Sequence, residues 1–330
     1  MSKILISTAP FGDINKLPIE LLDCAGVDYI CNPYNRKLKE LELIDLIRDC
    51  DVLIAGTETI TKKVMDNAPN LKFISRVGIG LDELDLLEAK NRGIGVSYTP
   101  DAPAPAVAEL TIGLMISLLR SVHTANLQFR KGQWHRYFGR RIAEITIGII
   151  GAGRIGGRVL RRLSAFGSPR ILVNDINPNL KIAPNLKLEW VDKNTIFSQA
   201  DLISIHTPLT LMTKNMIKKE QLMLMKKDAM LINTSRGGII NEDDLFEVLK
   251  QGHLSGVAID VFNNEPYFGN LSEFDRCLLT AHMGSMSIDC RSRMEIEATE
   301  EALRFLQNKP LQNSVPEYEY DIQKGVNSNE

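Results

Sequence analysis

Residues 148–157 read GIIGAGRIGG, a β-branched run broken by glycines at 151, 153 and 156. Such a string fits where a buried strand turns directly into a helix. Gly151 would permit the tight turn, Gly153 would let an anion reach the backbone, and Gly156 would let the helix lie close on its strand. The amides around Arg154 and Ile155, in the first helical turn, have no preceding carbonyl to bond, so a pyrophosphate is the expected guest. Alone, a glycine string also fits turns that bind no nucleotide. The next strand supplies an independent check, because RILVND (170–175) ends on Asp175, nineteen residues beyond Gly156. An acid there takes the adenosine ribose hydroxyls and repels a 2′-phosphate. The following INPN holds no arginine to welcome one. The expected cofactor is NAD rather than NADP.

The string begins almost halfway along the 330 residues, and its lateness sets the domain organisation. Five short apolar runs precede it: KILIST (3–8), VDYICN (27–32), DVLIAG (51–56), LKFISRVG (71–78) and GVSYT (95–99). With helix-like segments between them they read as βαβ units, enough for one small doubly wound α/β domain. The prolines of TPDAPAPAVAE (99–109) disfavour helix until about Ala104, after which a long amphipathic helix is expected towards Phe129. A second series follows: TIGIIG (146–151), RILVND (170–175), DLISIHT (201–207), AMLINTS (229–235), GVAIDVF (256–262) and CLLTAH (277–282). Six strands are what a full dinucleotide-binding sheet uses. The last helix-like stretch, 285–309, is expected to return to the first domain, and the polar tail from Ser314 lacks sustained periodicity, so its end is expected to be mobile.

A formal charge of −2 with 24% charged residues gives no global attraction to nucleic acid or anionic membrane. A small-molecule partner is expected instead. AVAELTIGLMISLLR (106–120) is too short for a span of roughly 20 residues and reads as a buried helix. Cys24, Cys31, Cys50, Cys277 and Cys290 form no C-x-x-C pair, which fits inert thiols in a reducing cytoplasm. The methionines of LMTKNMIKKEQLMLMKK (211–227) read as core filler rather than metal ligands, since interleaved lysines oppose a cation. The amino terminus lacks the apolar run of a secretory signal and reads as mature protein.

In open α/β sheets ligands lie beyond the carboxyl ends of the strands. Three residues of chemical interest terminate strands of the second series: Arg236 in INTSRGG, Glu265 in DVFNNEP and His282 in LLTAHMGS. Singly, each has a plain structural explanation. Together they are a planar fork for a carboxylate, a proton donor, and an anion behind that donor, the parts needed for hydride transfer to a 2-oxo acid.

With these motifs in order, the chain resembles the D-isomer-specific 2-hydroxyacid dehydrogenases, which include phosphoglycerate dehydrogenase and glyoxylate/hydroxypyruvate reductase. The resemblance is carried by RVGIGLDELDL (76–86), TPDAPAPAVAEL (99–110), GIIGAGRIGGRV (148–159), ISIHTPLT (203–210), LINTSRGGIINEDDL (231–245), GVAIDVFNNEP (256–266) and LLTAHMGS (278–285). It implies a Rossmann NAD-binding domain, 101–285, inserted into a flavodoxin-like substrate domain, 1–100 with 286–330, with hinges near Pro100 and Ser285 and a cleft that closes. It implies that Arg236 grips the substrate carboxylate and oxo group. His282 would be the acid and base with Glu265 behind it, and Asp260 would hold the nicotinamide carboxamide. Thr207 and Pro208 would line the cofactor cleft, amides around Val77, Gly78 and Ile79 would cradle the carboxylate, and the helix from Ala104 would form a homodimer.

Departures bear on the substrate. Relatives acting on phosphoglycerate carry an arginine in the loop after the third strand, whereas AGTETITKK (55–63) has none, although Arg76 matches a second basic position. The histidine motif reads TAHMG where TPHIG is usual. Formate oxidation on this scaffold typically needs a glutamine where Glu265 stands. The alternative of another class is an NAD(H)-sensing binding protein of the corepressor type, which binds the nucleotide with little turnover.

Overall fold

Runs such as KILI and TIGII put apolar side chains on both faces of a strand, and only a sheet covered by helices on both sides buries them. The computed structural model, which describes residues 2–178 and 182–325, contains two such sheets. The chain forms two units: one runs up to Pro103 and resumes at Met286, the other is Ala104–Ser285.

The first unit starts β1 (Lys3–Ile6), α1 (Leu17–Cys24), β2 (Asp28–Cys31), α2 (Glu40–Ile47), β3 (Val52–Ala55), α3 (Lys62–Asp66), β4 (Phe73–Arg76), α4 (Leu86–Asn91) and β5 (Gly95–Tyr98). Its five strands are parallel in the order β2-β1-β3-β4-β5, the flavodoxin-like winding. Leu5, Leu53, Ile74 and Val96 bury one face, and Ile4, Val52, Ile54 and Phe73 the other.

The second unit opens with α5 (Ala104–Leu119) and α6 (Val122–Arg130), where one long helix was expected. The pair bends by 64°. Ser121 adopts φ +50°, and the Leu119 carbonyl accepts Arg140 N at 3.1 Å from the returning chain instead of continuing the helical ladder. Composition changes at the same place: α5 buries nine residues and α6 none. Among the described residues no single helix is long and apolar enough to cross a membrane.

Then come β6 (Thr146–Ile150), α7 (Arg154–Leu163), β7 (Arg170–Asn174), β8 (Leu188–Trp190), α8 (Lys193–Gln199), β9 (Leu202–Ile205), α9 (Lys219–Leu224), β10 (Met230–Asn233), α10 (Glu242–Lys250), β11 (Gly256–Ile259) and β12 (Cys277–Leu279). The sheet order is β12-β11-β10-β9-β6-β7-β8, all parallel, and the strand order reverses between β6 and β9. It has seven strands where six were expected. The extra one, β8, is a three-residue edge strand, LEW, too short and too polar to register as an apolar run.

The chain returns to the first unit as α11 (Ile288–Leu306), which puts Met294, Ala298 and Ala302 on the β1–β3–β4 face and accepts Ser75 Oγ at the Ala298 carbonyl, 2.7 Å away. The tail holds an element that its sequence did not suggest, α12 (Glu317–Lys324). Tyr320 packs against the core, and Gln323 Nε2 donates to the carbonyls of Leu81 and Leu84 at 3.1 and 2.7 Å while its Oε1 accepts Leu86 N at 2.9 Å. Partners distant in sequence, Tyr320 on the core, Gln323 on the 81–86 loop and Glu317 beside Lys90, therefore replace the periodicity that the tail lacks. Residues 326–330, the end of that tail, lie outside the described residues.

Gln323→Ala is expected to lower the stability of the first unit by about 1–3 kcal/mol, since three backbone groups lose their partner. A urea titration reads the effect, and an unchanged midpoint would remove α12 from the support of the 81–86 loop.

Candidate active site

At the end of β6 the chain has no room for side chains. Gly151 takes φ +93°, and a Cβ there would lie 2.6 Å from the His206 carbonyl oxygen. A Cβ on Gly156 would lie 1.9 Å from the Gly151 carbonyl oxygen, so strand, turn and helix meet backbone to backbone. Gly153, the N-cap of α7, differs, for a Cβ there would meet nothing within 4 Å. Arg154 and Ile155 begin the helix, whose first-turn amides have no intrahelical acceptor.

Asp175 follows β7, next to β6 in the sheet. Its Oδ2 accepts Ala152 N at 2.6 Å and its Oδ1 accepts Asn177 N at 2.8 Å. The acid is thus fastened to the glycine turn, and a carboxylate with about four acceptor positions keeps capacity for a diol. Across the switch point, after β9, the Thr207 hydroxyl and His206 Nδ1 are shielded from water without a protein partner. His206 Nε2 pairs with Ser204 Oγ at 2.9 Å, and burial holds the imidazole pKa down to about 3, so the ring is neutral. Pro208 is exposed, and its carbonyl accepts Thr213 Oγ1 at 2.6 Å.

The three adjacent strands β10, β11 and β12 each deliver a polar group beyond their carboxyl ends. Asn233 shapes the first loop: its Nδ2 donates to the Arg236 carbonyl at 2.8 Å and its Oδ1 accepts Ser235 N at 3.0 Å. Arg236 Nη1 donates to the Ser235 carbonyl at 2.7 Å. A Cβ on Gly237 would lie 2.1 Å from the Phe262 backbone, so this loop packs directly on the one after β11. There Glu265 Oε1 accepts Phe262 N at 3.0 Å, and its Oε2 meets His282 Nδ1 at 2.8 Å. The pair is about one-third exposed. Asp260 is 1% exposed and accepts Thr280 Oγ1 at 2.6 Å, Met283 N at 2.9 Å and Gly284 N at 2.9 Å.

The sequence model described as D-isomer specific 2-hydroxyacid dehydrogenase, NAD binding domain, matches residues 112–284. The chain belongs to the D-isomer specific 2-hydroxyacid dehydrogenases. It is 42% identical over 265 residues to a glyoxylate reductase of Thermofilum pendens, covering 77% of each chain. It is 37% identical over 283 residues to a D-3-phosphoglycerate dehydrogenase of Methanocaldococcus jannaschii, covering 84% of this chain and 54% of that one. The crystal structure of the TT0316 protein from Thermus thermophilus superimposes with a TM-score of 0.86 at 30% identity, covering 95% of this chain and all of the other.

This dehydrogenase uses NAD and acts on CH–OH groups of small hydroxy acids. The residues beyond β6, β7 and β9 fit that cofactor: an open backbone face at Gly153, acceptor capacity on Asp175, and an orphaned hydroxyl on Thr207.

The carboxylate cradle expected in the first unit is only partly available. Val77 N already donates to the Ala55 carbonyl at 2.8 Å and Gly78 N to Thr99 Oγ1 at 2.8 Å. Among the described residues, the amides of Ile79 and Gly80 bond to no protein group. Arg76 lies beneath this loop, 5% exposed, with Nε donating to the Gly80 carbonyl at 3.1 Å and Nη1 to the carbonyls of Val77 and Ala55 at 3.2 and 3.4 Å. Its inward direction has no signature in the sequence. Sequence reasoning also missed His206 and Glu242. Glu242 Oε1 accepts Asn263 N at 2.6 Å, and burial, then Asp243 and Glu265, pushes its carboxyl pKa up. An acid opening a helix directly after IIN gave no hint of a role beside the Glu265 loop.

Asp175→Ala is expected to weaken NADH binding and to bring the dissociation constants of NADH and NADPH closer together. Fluorescence titration of both nucleotides reads the ratio, and equal affinity in the unmodified enzyme would rule out Asp175 as the discriminating group.

Proposed function

We propose that this dehydrogenase interconverts a small, unphosphorylated D-2-hydroxy acid and its 2-oxo acid, with glyoxylate and hydroxypyruvate as the leading oxo substrates. The 2.8 Å contact between His282 Nδ1 and Glu265 Oε2 carries the chemical part of the reading. An ionised carboxylate only accepts, so the proton sits on Nδ1 and the ring is oriented with Nε2 towards the reacting oxygen. His282 then gives a proton to the oxo group in reduction and takes one from the hydroxyl in oxidation. Arg236 holds the substrate carboxylate through its planar fork. NAD, when bound, supplies the hydride for reduction or accepts it in oxidation. The loop around Val77, Gly78 and Ile79 is proposed as a further carboxylate-binding element, with the amides of Ile79 and Gly80 doing the donating.

Three features of the first unit support an unphosphorylated substrate. The 55–61 stretch has no cation, Arg76 spends donors on the carbonyls of its own neighbourhood, and Glu58 is a 2% exposed carboxylate that accepts the Ser7 hydroxyl and Gly56 N at the ends of β1 and β3. A dianion at those strand ends would meet a carboxyl group rather than a cation. The 42% identical glyoxylate reductase points the same way. The proposal also includes a cytoplasmic homodimer built on α5, α6 and the 131–141 stretch, where Phe129, Trp134 and Phe138 stand exposed. Light scattering should then return twice the 36.9 kDa chain mass.

In an NADH-oxidation screen, glyoxylate and hydroxypyruvate should turn over with kcat/KM well above phosphohydroxypyruvate. Stoichiometric NADH binding without turnover on any 2-oxo acid would overturn the proposal in favour of a nucleotide sensor. Arg236→Lys should lower kcat/KM by about two orders of magnitude with NADH affinity nearly unchanged, because a point charge cannot reproduce the bidentate fork. Wild-type efficiency would reject Arg236 as the anchor.

A further inference from the structure

His282 occupies a backbone conformation that a residue with a side chain seldom takes, φ +49°. Something has to hold it there. The holding group is Asp260, at the end of the neighbouring strand β11. Its carboxylate bonds to residues on both sides of the histidine: Thr280 Oγ1 before it, Met283 N and Gly284 N after it. Its carbonyl accepts His282 N itself at 2.8 Å. A Cβ on Gly284 would lie 3.1 Å from Asp260 Oδ2, so a larger residue at 284 would crowd the clamp. Asp260 N in turn donates to the Asn233 carbonyl at 3.0 Å, and Asn233 is the residue that shapes the Arg236 loop.

We propose that Asp260 is a positioning residue for the acid–base step: it fixes the backbone of residues 280–284 so that the His282 ring meets Glu265 at one end and the reacting oxygen at the other. This rests on the reading of His282 as the proton donor. It adds a role to the contact with the nicotinamide carboxamide that the family resemblance implies, because three of the carboxylate's acceptor positions are spent on the histidine loop. The backbone amide of the same residue ties this loop to the Asn233 carbonyl, so a hydrogen-bonded chain runs from Asn233, beside the Arg236 loop, to Gly284.

The test is kinetic. In Asp260→Asn an amide N–H replaces one acceptor oxygen and faces backbone N–H donors, so kcat for 2-oxo acid reduction should fall about 10²-fold, the scale of a displaced catalytic group. KM for the oxo acid should stay within about threefold of wild type, since the Arg236 side chain is unaltered, and the NADH dissociation constant should rise by less than about tenfold, since an asparagine can still meet the nicotinamide carboxamide. In a His282→Gln background the same substitution should cost less than about threefold, because the group it positions is already gone. An NADH dissociation constant raised tenfold or more with kcat unchanged would assign Asp260 to cofactor binding alone and overturn the proposal. So would a full 10²-fold loss in the His282→Gln background. Should Asp260→Asn fail to fold, Thr280→Val removes one donor and leaves the acid in place. A several-fold loss of kcat at constant KM supports the clamp, and wild-type kcat overturns it. A large but measurable loss of kcat in His282→Gln together with Thr280→Val at wild-type kcat would leave the acid–base assignment standing while the clamp falls, so the two readings fail separately.

Discussion

Two backbones touch where β6 turns into α7, and no side chain can come between them. The Gly151 carbonyl fills the space a Cβ on Gly156 would need, while the His206 carbonyl fills the space beside Gly151 itself. This contact sets the depth at which the helix rides on the sheet and therefore the height of its amino-terminal turn above the strand ends. Asp175 is drawn to the same turn through Ala152 N, and Thr207 follows the His206 carbonyl on the opposite side. The nucleotide half of the enzyme is thus organised around steric exclusion rather than attraction. A second exclusion of the same kind, Gly237 against Phe262, brings the Arg236 loop onto the loop that carries Glu265.

These contacts explain why the glycine pattern was informative in the sequence. A residue type chosen because nothing else fits leaves a mark that survives without any alignment, and so does a parallel strand buried on both faces. The doubly wound α/β architecture was legible for that reason, including the late start of the nucleotide-binding sheet. The strand ends that hold Arg236 and Glu265 could be found because each follows such a strand, and that of His282 because CLL, a partly buried edge strand, still reads as an apolar run.

What stayed hidden depends on partners distant in sequence. The bend between α5 and α6 comes from a carbonyl at Leu119 meeting Arg140 N, and neither residue announces the other. Strand β8 exists because β7 offers an edge, and α12 because Gln323 finds the loop at 81–86. The directions of polar side chains were equally silent. Arg76 has the composition of a ligand-binding arginine and the geometry of a loop brace, and Asp260 has the position of a cofactor contact and the bonds of a clamp.

The discontinuity of the first unit also dictates an order of assembly. Its sheet needs the face of α11 that carries Met294, Ala298 and Ala302, and these residues follow the whole of the inserted unit in the chain. During synthesis the strands made first must wait, with Ile4, Ile6 and Val52 covered only by earlier residues such as Leu22, until a complete second sheet has emerged. The middle of this chain can finish folding before its beginning, and the interval is when the exposed β1–β3 face is most open to capture by other chains or by chaperones.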